Sequence, residues 1–259
     1  DYAETWNNRG TALLDLKRPH EALDDIEHAL RLRPLFAEAL NNRGSALFDL
    51  KRYADSAESF ARALAAPPNF EAALGSLFHA KLHACDWSEF DATRLRILSN
   101  IERDGGADVP FAFLVHSNNP DAQLRCARLY AAEKCPSAPQ PFWSGQPYRH
   151  EKMRIAYLSA DFNDHATAHL TAELFEIHDR NRFEISAFSF GASGAGEMHR
   201  RLRRAFDAFH DIRSMSDRDA ARMLREKEID IAVDLKGFTD GSRPGILAHR
   251  PAPVQVHYL

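Results

Sequence analysis

The residues best equipped for chemistry lie in "SADFNDHAT", Ser159 to Thr167, where Asp161, Asn163, Asp164 and His165 crowd into one short turn. A histidine is the side chain whose ordinary ionisation falls near neutral pH, so His165 can take a proton as a general base. At the start of a helix it can instead help hold an anion, or it can be an ordinary exposed helix-start residue. Asp161, four residues earlier, can orient the turn or the imidazole. His165 and His169 have the spacing of a metal pair on one helical face, but no carboxylate or cysteine follows at a spacing that completes the set, so no metal is expected. A second polar stretch, "KGFTDGSRP" (Lys236 to Pro244), has the same loop-like character. The turn lacks the GxGxxG of dinucleotide sites, and no GxxxxGK[ST] or GxSxG occurs, which removes the usual support for those three chemistries.

The elements around these loops alternate. "MRIAYLS" (Met153 to Ser159) reads as an apolar strand, Thr167 to Asp179 as a helix and "FEISAFSF" (Phe183 to Phe190) as a second strand. A helix from Glu197 to Ala208, a short strand near "FHDI", a helix from Asp217 to Glu228 and the strand "IDIAVDL" (Ile229 to Leu235) follow. Strand and helix in alternation imply a parallel, doubly wound α/β domain over residues 151–259, whose ligands sit beyond the carboxyl ends of the strands. Both polar loops fall at that edge. Before it, residues 136–150 hold four prolines and a glycine and read as an extended linker, pinned to a domain surface by Phe142 and Trp143.

The N-terminal part repeats itself. Ala3–Phe36 laid over Ala37–Phe70 matches at most landmarks with an offset of 34, the period of tetratricopeptide repeats. Gly10 and Gly44 are small where two helices must approach closely, and Leu13, Leu16, Leu47 and Leu50 supply an apolar stripe. Ala29 and Ala63 fall where the second helix packs tightly, and Pro34 and Pro68 where it stops. Repeats thus occupy 1–70. Residues 71–135 read as a degenerate repeat, with Phe78 in the glycine position, and connecting helices that turn Leu124, Ala127 and Tyr130 or Ala131 inward. Asn8 and Asn42 occupy equivalent points of successive first helices. They can hydrogen-bond the main chain of an extended peptide, or they are simply exposed polar positions. Two clean repeats fall short of the roughly three needed for independent stability, so either repeats precede Asp1 or the array leans on the next domain. The sequence reads as an excerpt.

Composition narrows the classes. With 259 residues, 44% hydrophobic and 27% charged, the chain is long enough for two soluble domains. A net charge of −4 and a pI near 6.4 give no reason to expect nucleic acid, and "HRRLRRAF" (His199 to Phe206) reads as one helix's solvated face. Cys85, Cys126 and Cys135 form no CxxC pair or even framework and read as packing residues of a reducing compartment. No apolar run has the roughly 18 to 20 residues of a membrane span and no signal segment opens the chain, so a cytoplasmic location without membrane partners is expected.

Tetratricopeptide repeats, then "HACDWSEFD" (His83 to Asp91), then "RIAYLSADFNDHATAHL", then "DLKGFTDGSRPGILAHRPAPVQVHYL" (Asp234 to Leu259) form an ordered set. Over essentially its whole length the chain resembles the O-linked N-acetylglucosamine transferases, including their bacterial homologues and SPINDLY-type relatives. The resemblance implies a helical repeat array followed by the first Rossmann-like domain of a GT-B glycosyltransferase, whose second half would lie beyond this chain. It implies transfer of a sugar, N-acetylglucosamine from UDP-GlcNAc, to serine or threonine hydroxyls with inversion. No cofactor or metal is implied, and a protein or peptide acceptor would lie along the repeat groove. His165 and Asp161 match the family's active-site motif, while Lys236, Gly237, Thr239, Arg243 and Gln255 fall in the segment expected to contact substrate. Lys236 stands where animal members carry asparagine, and Phe238 where they carry tyrosine. Such enzymes commonly hold the nucleotide on the second domain, which frees the first strand's turn to face sugar and acceptor. The excerpt alone is expected to be inactive. Alternatives are a GDP-fucose-dependent protein fucosyltransferase of the same family, a non-catalytic repeat adaptor, and an unrelated α/β enzyme with a fused repeat.

Overall fold

In the computed structural model, which describes residues 2–67, 70–104, 108–192 and 194–258, the repeat period becomes a repeated helix pair. Two units are formed, one running to Tyr130 and one from Ala131. In the first, α1 (Tyr2–Asp15) pairs with α2 (Pro19–Leu32) and α3 (Ala37–Asp49) with α4 (Tyr53–Ala65). Lys17 and Lys51, at φ of 57° and 61°, turn the chain after the first helix of each pair. Pro19 then opens α2 where an N–H would be unpaired anyway.

The two glycines mark the close approach that the sequence demanded. A Cβ at Gly10 would stand 2.6 Å from Ile26 Cγ1, and one at Gly44 the same 2.6 Å from Phe60 Cε1. Ala29 and Ala63 are fully buried. Arg9 of α1 grips Asp25 of α2, and 34 residues on Arg43 donates to Ser59 at 2.6 Å and approaches Glu27 at 3.4 Å. Pro34 follows the end of α2 as expected, whereas Pro68 lies outside the described residues. The leucine stripe needs one correction. Leu13 packs against the first core cluster and Leu47 is fully buried, but α1 ends at Asp15 and Leu16, just past it, is 65% exposed.

A third helix, α5 (Ala73–His83), leads into α6 (Phe90–Glu102), the single turn α7 (Pro110–Phe113) and α8 (Pro120–Lys134), within which the boundary between the units falls. Phe78, in the glycine position, is buried against Phe90 and His116. The packed face of α8 is Ala122, Cys126 and Leu129 rather than the expected one, and Leu124 points to solvent. Of the three cysteines only Cys126 is a core residue; Cys85 is exposed, on a left-handed turn at φ 56°.

The second unit is a five-stranded sheet. Its strands are β1 (Met153–Ser159), β2 (Phe183–Ser189), β3 (Ala208–Asp211), β4 (Ile231–Asp234) and β5 (Val254–His257), in the order β3-β2-β1-β4-β5 with every pairing parallel. Helices α9 (Ala166–Glu176), α10 (Glu197–Ala205), α11 (Asp217–Glu226) and the single turn α12 (Gly245–Ala248) connect them. The expected strand–helix alternation holds, and β5 and α12 are additions to it. Because successive side chains of a strand point to opposite faces, β1 serves two cores. Ile155 and Tyr157 pack with Phe175 of α9 and Leu202 of α10; Ala156 and Leu158 pack with Leu224 of α11 and Ile246 of α12. Burying each such large side chain contributes about 1.5–3 kcal/mol, which is why a continuous apolar run makes a central strand.

The proline-rich segment is a strap. Ala138, Phe142 and Trp143 donate backbone hydrogen bonds to the carbonyls of Ala248, His249 and Arg250, each at 2.9 Å. Phe142 packs on the core that Leu158, Leu224 and Ile246 form on one face of the sheet, and its carbonyl accepts from Arg225 Nε at 3.1 Å.

Candidate active site at the carboxyl rim of the sheet

The strand order reverses between β1 and β4: from β1 the chain builds outward through β2 and β3, then returns to the other side for β4 and β5. In a doubly wound sheet that reversal leaves a crevice at the carboxyl ends of the two strands. Both polar loops of the sequence emerge there.

The β1 exit is held firmly. Asp161 donates its backbone N–H to Ser159 Oγ at 3.0 Å, and the Asn163 amide donates to the Ala160 carbonyl at 3.3 Å. Phe162 is buried among Phe175, Phe206 and Phe209, which drives the turn's centre into the core while its polar residues stay at the rim. From the β2 side, Phe190 N–H bonds the Ser159 carbonyl at 3.1 Å. Gly191 presses so close that a Cβ there would sit 1.7 Å from the Ala160 oxygen.

His165 is the N-cap of α9, with extended backbone at φ −140° and ψ 153°. Its Nδ1 accepts the Thr167 N–H at 3.2 Å and lies 3.6 Å from Asp161 Oδ2. An accepting Nδ1 places the proton of the neutral ring on Nε2. The side chain is 47% exposed, against 10% for Asp161. His169 is drawn to Asp164, Nε2 to Oδ1 at 2.8 Å, and the capping position takes His165 out of the helix, so the two imidazoles do not share a helical face.

Across the switch point, Lys236 places Nζ 3.1 Å from Asp161 Oδ2 and 3.3 Å from Oδ1, and both side chains are buried. Gly237, at φ 53°, lets the chain turn back at once. Thr239 closes that turn by donating its N–H and hydroxyl to the Lys236 carbonyl at 3.1 and 2.8 Å. The backbone N–H of Lys236 donates to Asp234 Oδ1 at 2.9 Å. The other oxygen of Asp234 stands 2.9 Å from His257 Nδ1, and the Phe238 ring stacks on His257 with centroids 5.9 Å apart. The close Asp234 carboxylate pushes the His257 pKa up against the opposing effect of burial, although the contact lacks hydrogen-bond geometry.

The rim therefore assembles His165, Asp161 and Lys236, with Gly237 and Thr239 shaping the loop. Arg243 lies apart from them: its guanidinium donates to Asp217 Oδ1 at 2.7 Å and to the carbonyls of Ile212 and Met215 at 2.9 and 2.7 Å, stapling the connection from β3 to α11. Gln255 lies within β5, its Oε1 buried without a hydrogen-bond partner among the described residues. In the first unit Asn8 is exposed, whereas Asn42 donates its amide to Asn7 Oδ1 and Thr11 Oγ1, both at 3.0 Å. Sequence reasoning missed Asp234 and His257. A period-two reading of "VQVH" as a strand would have placed His257 at its carboxyl end.

A parallel, doubly wound domain with ionisable groups at its switch point, preceded by paired-helix repeats, defines a repeat-bearing Rossmann-like protein. The family profile of glycosyl transferase family 41 matches residues 123–259, more than half of the chain, and a tetratricopeptide-repeat profile matches residues 7–69. The chain belongs to glycosyl transferase family 41. It is 30% identical over 198 residues to an Arabidopsis thaliana protein named as the probable UDP-N-acetylglucosamine-peptide N-acetylglucosaminyltransferase SEC, covering 71% of this chain and 20% of that one. It is 28% identical over 120 residues to the Arabidopsis protein of the same probable activity named SPINDLY, covering 45% of this chain and 13% of that one. A solved O-GlcNAc transferase of Thermobaculum terrenum, the K341M mutant, matches with TM-score 0.65 at 21% identity, over 98% of this chain and 49% of that one. The chain thus spans a fifth or less of the length of these curated relatives and about half of the solved one. Repeats followed by the first Rossmann-like domain of a GT-B glycosyltransferase, as the sequence led one to expect, is the fold class found. No helix among the described residues is long and apolar enough to cross a membrane.

Proposed function

We propose that the protein serves in O-glycosyl transfer to proteins, moving N-acetylglucosamine from UDP-GlcNAc to serine or threonine hydroxyls with inversion. The observation that carries this reading is the contact of Lys236 with Asp161 beside His165 at the switch point of a family 41 domain. A fixed polar rim is what an in-line displacement needs, because holding nucleophile and anomeric carbon in register removes much of the entropic barrier. Lys236 neutralises and immobilises Asp161, and the Thr167 amide fixes the His165 ring. With Nδ1 engaged, neutral His165 offers a proton donor at Nε2, suited to holding the reacting groups in line. Gly237 and Thr239 would shape the loop that meets the sugar. Gln255, within β5 and paired with Ala232 of β4, stands back from the carboxyl rim, while Arg243 acts on substrate only through the loop it staples.

The nucleotide sugar is a substrate, and the reading calls for no metal or organic cofactor. The acceptor would be an extended protein segment along the repeats, meeting Asn8 and the remaining acceptor capacity of Asn42. A cytoplasmic, reducing setting suits the three unpaired thiols.

The test is incubation of the complete protein with labelled UDP-GlcNAc and, separately, GDP-fucose, scoring hydroxyl-linked sugar on added protein. Transfer from UDP-GlcNAc alone is expected. His165→Ala should lower turnover about 10²- to 10⁴-fold with donor binding retained. Transfer from GDP-fucose alone would favour the fucosyl alternative, and near-normal turnover of His165→Ala would remove the role given to that residue.

A further inference from the structure

Two imidazoles stand at the carboxyl rim of this sheet, and their nearest polar neighbours favour opposite proton positions. His165 accepts a backbone N–H at Nδ1, so its neutral ring carries the proton on Nε2 and presents a donor. His257 places Nδ1 2.9 Å from the acceptor-only carboxylate of Asp234, a charge contact that favours the proton on Nδ1 and leaves the neutral ring an Nε2 lone pair. A proton acceptor needs the second arrangement.

We propose that His257, oriented by Asp234, is the catalytic base that takes the proton from the acceptor hydroxyl. The inference rests on the glycosyl-transfer reading and assigns a residue within it. In the step, the serine or threonine O–H proton moves to His257 Nε2 while the hydroxyl oxygen forms a bond to the anomeric carbon. The bond from that carbon to the diphosphate oxygen breaks, and its electron pair leaves with the nucleoside diphosphate. The imidazolium formed is balanced by Asp234 and later returns its proton to water.

Several features fit that role. Asp234 is almost fully buried and is fixed on its other oxygen by the Lys236 backbone N–H at 2.9 Å, so it cannot swing away. The Phe238 ring lies nearly parallel to the imidazole, at 20°, and sets its plane. The side chain is 45% exposed. Asp234, on the neighbouring strand β4, is the charged group acting on His257, and it raises the ring's basicity as a triad aspartate does. The same carboxylate is tied through Lys236 to Asp161 and so to the turn of His165. His165 and His257 thereby belong to one polar network spanning β1, β4 and β5.

The experiment has two readouts. Nitrogen-15 NMR of the histidine rings above their titration range should show the proton of His257 on Nδ1 and that of His165 on Nε2. The reverse assignment for His257 overturns the proposal whatever the activity. In the complete protein, His257→Gln should lower kcat about 10²- to 10⁴-fold with a smaller change in KM. It should also abolish the acid limb of the kcat/KM profile, since a base works only when unprotonated. Asp234→Asn keeps the ring but presents an amide, so the acid limb should move toward the ordinary histidine value near 6.5 while kcat falls. Circular dichroism melting checks that each variant folds; if His257→Gln does not, Asp234→Asn carries the kinetic test. Wild-type transfer with an unchanged kcat and acid limb in the variants overturns the base and leaves the glycosyl-transfer reading standing. Absence of hydroxyl-linked sugar from the wild-type protein with either donor overturns that reading and the base with it.

Discussion

Lys236→Met should destabilise the second unit by about 3–4 kcal/mol at pH 7. Lys236 Nζ lies 3.1 Å from Asp161 Oδ2, and both side chains are about nine-tenths buried. At an effective dielectric constant of ~20, a charge pair at this separation attracts by about 5 kcal/mol, offset in part by the desolvation of both ions. Removing one partner leaves the other's desolvation uncompensated, and truncating one member of a buried pair typically costs about 3–5 kcal/mol. Urea unfolding of wild type, Lys236→Met, Asp161→Asn and the double variant closes a cycle. For a unit of this size each kcal/mol moves Tm by roughly 3–5 °C, so the single variant should melt about 10–15 °C lower. The double variant should recover part of the loss. A Lys236→Met protein within about 1 kcal/mol of wild type, or strict additivity in the cycle, would refute the account of the rim as a buried ion pair.

Other outcomes follow from the same geometry. Gly44→Ala should destabilise the repeats by about 1–2 kcal/mol in chemical denaturation despite alanine's better helix propensity, because its Cβ meets the Phe60 ring at 2.6 Å. Gly191→Ala should shift the amide resonances of the Ala160–His165 turn and cost about 2–3 kcal/mol, since only backbone movement relieves a 1.7 Å contact with a carbonyl oxygen. Burial pushes the Cys126 thiol up to about 11, so a disulfide reagent at pH 8 should label exposed Cys85 rapidly and reach Cys126 only on unfolding.

What could be read from the chain without coordinates divides along a physical line. Gly10 and Gly44 were legible because a helix pair imposes local periodicity, and the offset between two copies reveals it. The β1 turn was legible because an apolar run stops abruptly at polar residues. Leu16 was misplaced because the end of α1 depends on a left-handed Lys17, which no apolar pattern marks. The strand β5 went unnoticed because four residues after "RPAP" carry too short an alternation to separate strand from loop. The contacts of Lys236 with Asp161, 75 residues apart, and of Asp234 with His257 arise from strand order, which fixes neighbours that spacing along the sequence does not encode. Asn42 shows the converse: its position in the repeat was evident, but its bonds to Asn7 and Thr11 depend on how successive helices meet.

The strap has a consequence for how the protein is made. Its backbone bonds join Ala138 to Ala248, Phe142 to His249 and Trp143 to Arg250, residues more than a hundred positions apart. On a ribosome adding about 5–20 residues per second, the earlier partner emerges roughly 5–20 s before the later one exists. Throughout that interval Phe142 is an unsheltered aromatic on a nascent polypeptide, so the entry to the α/β unit is also among the last parts of it to be sealed during translation.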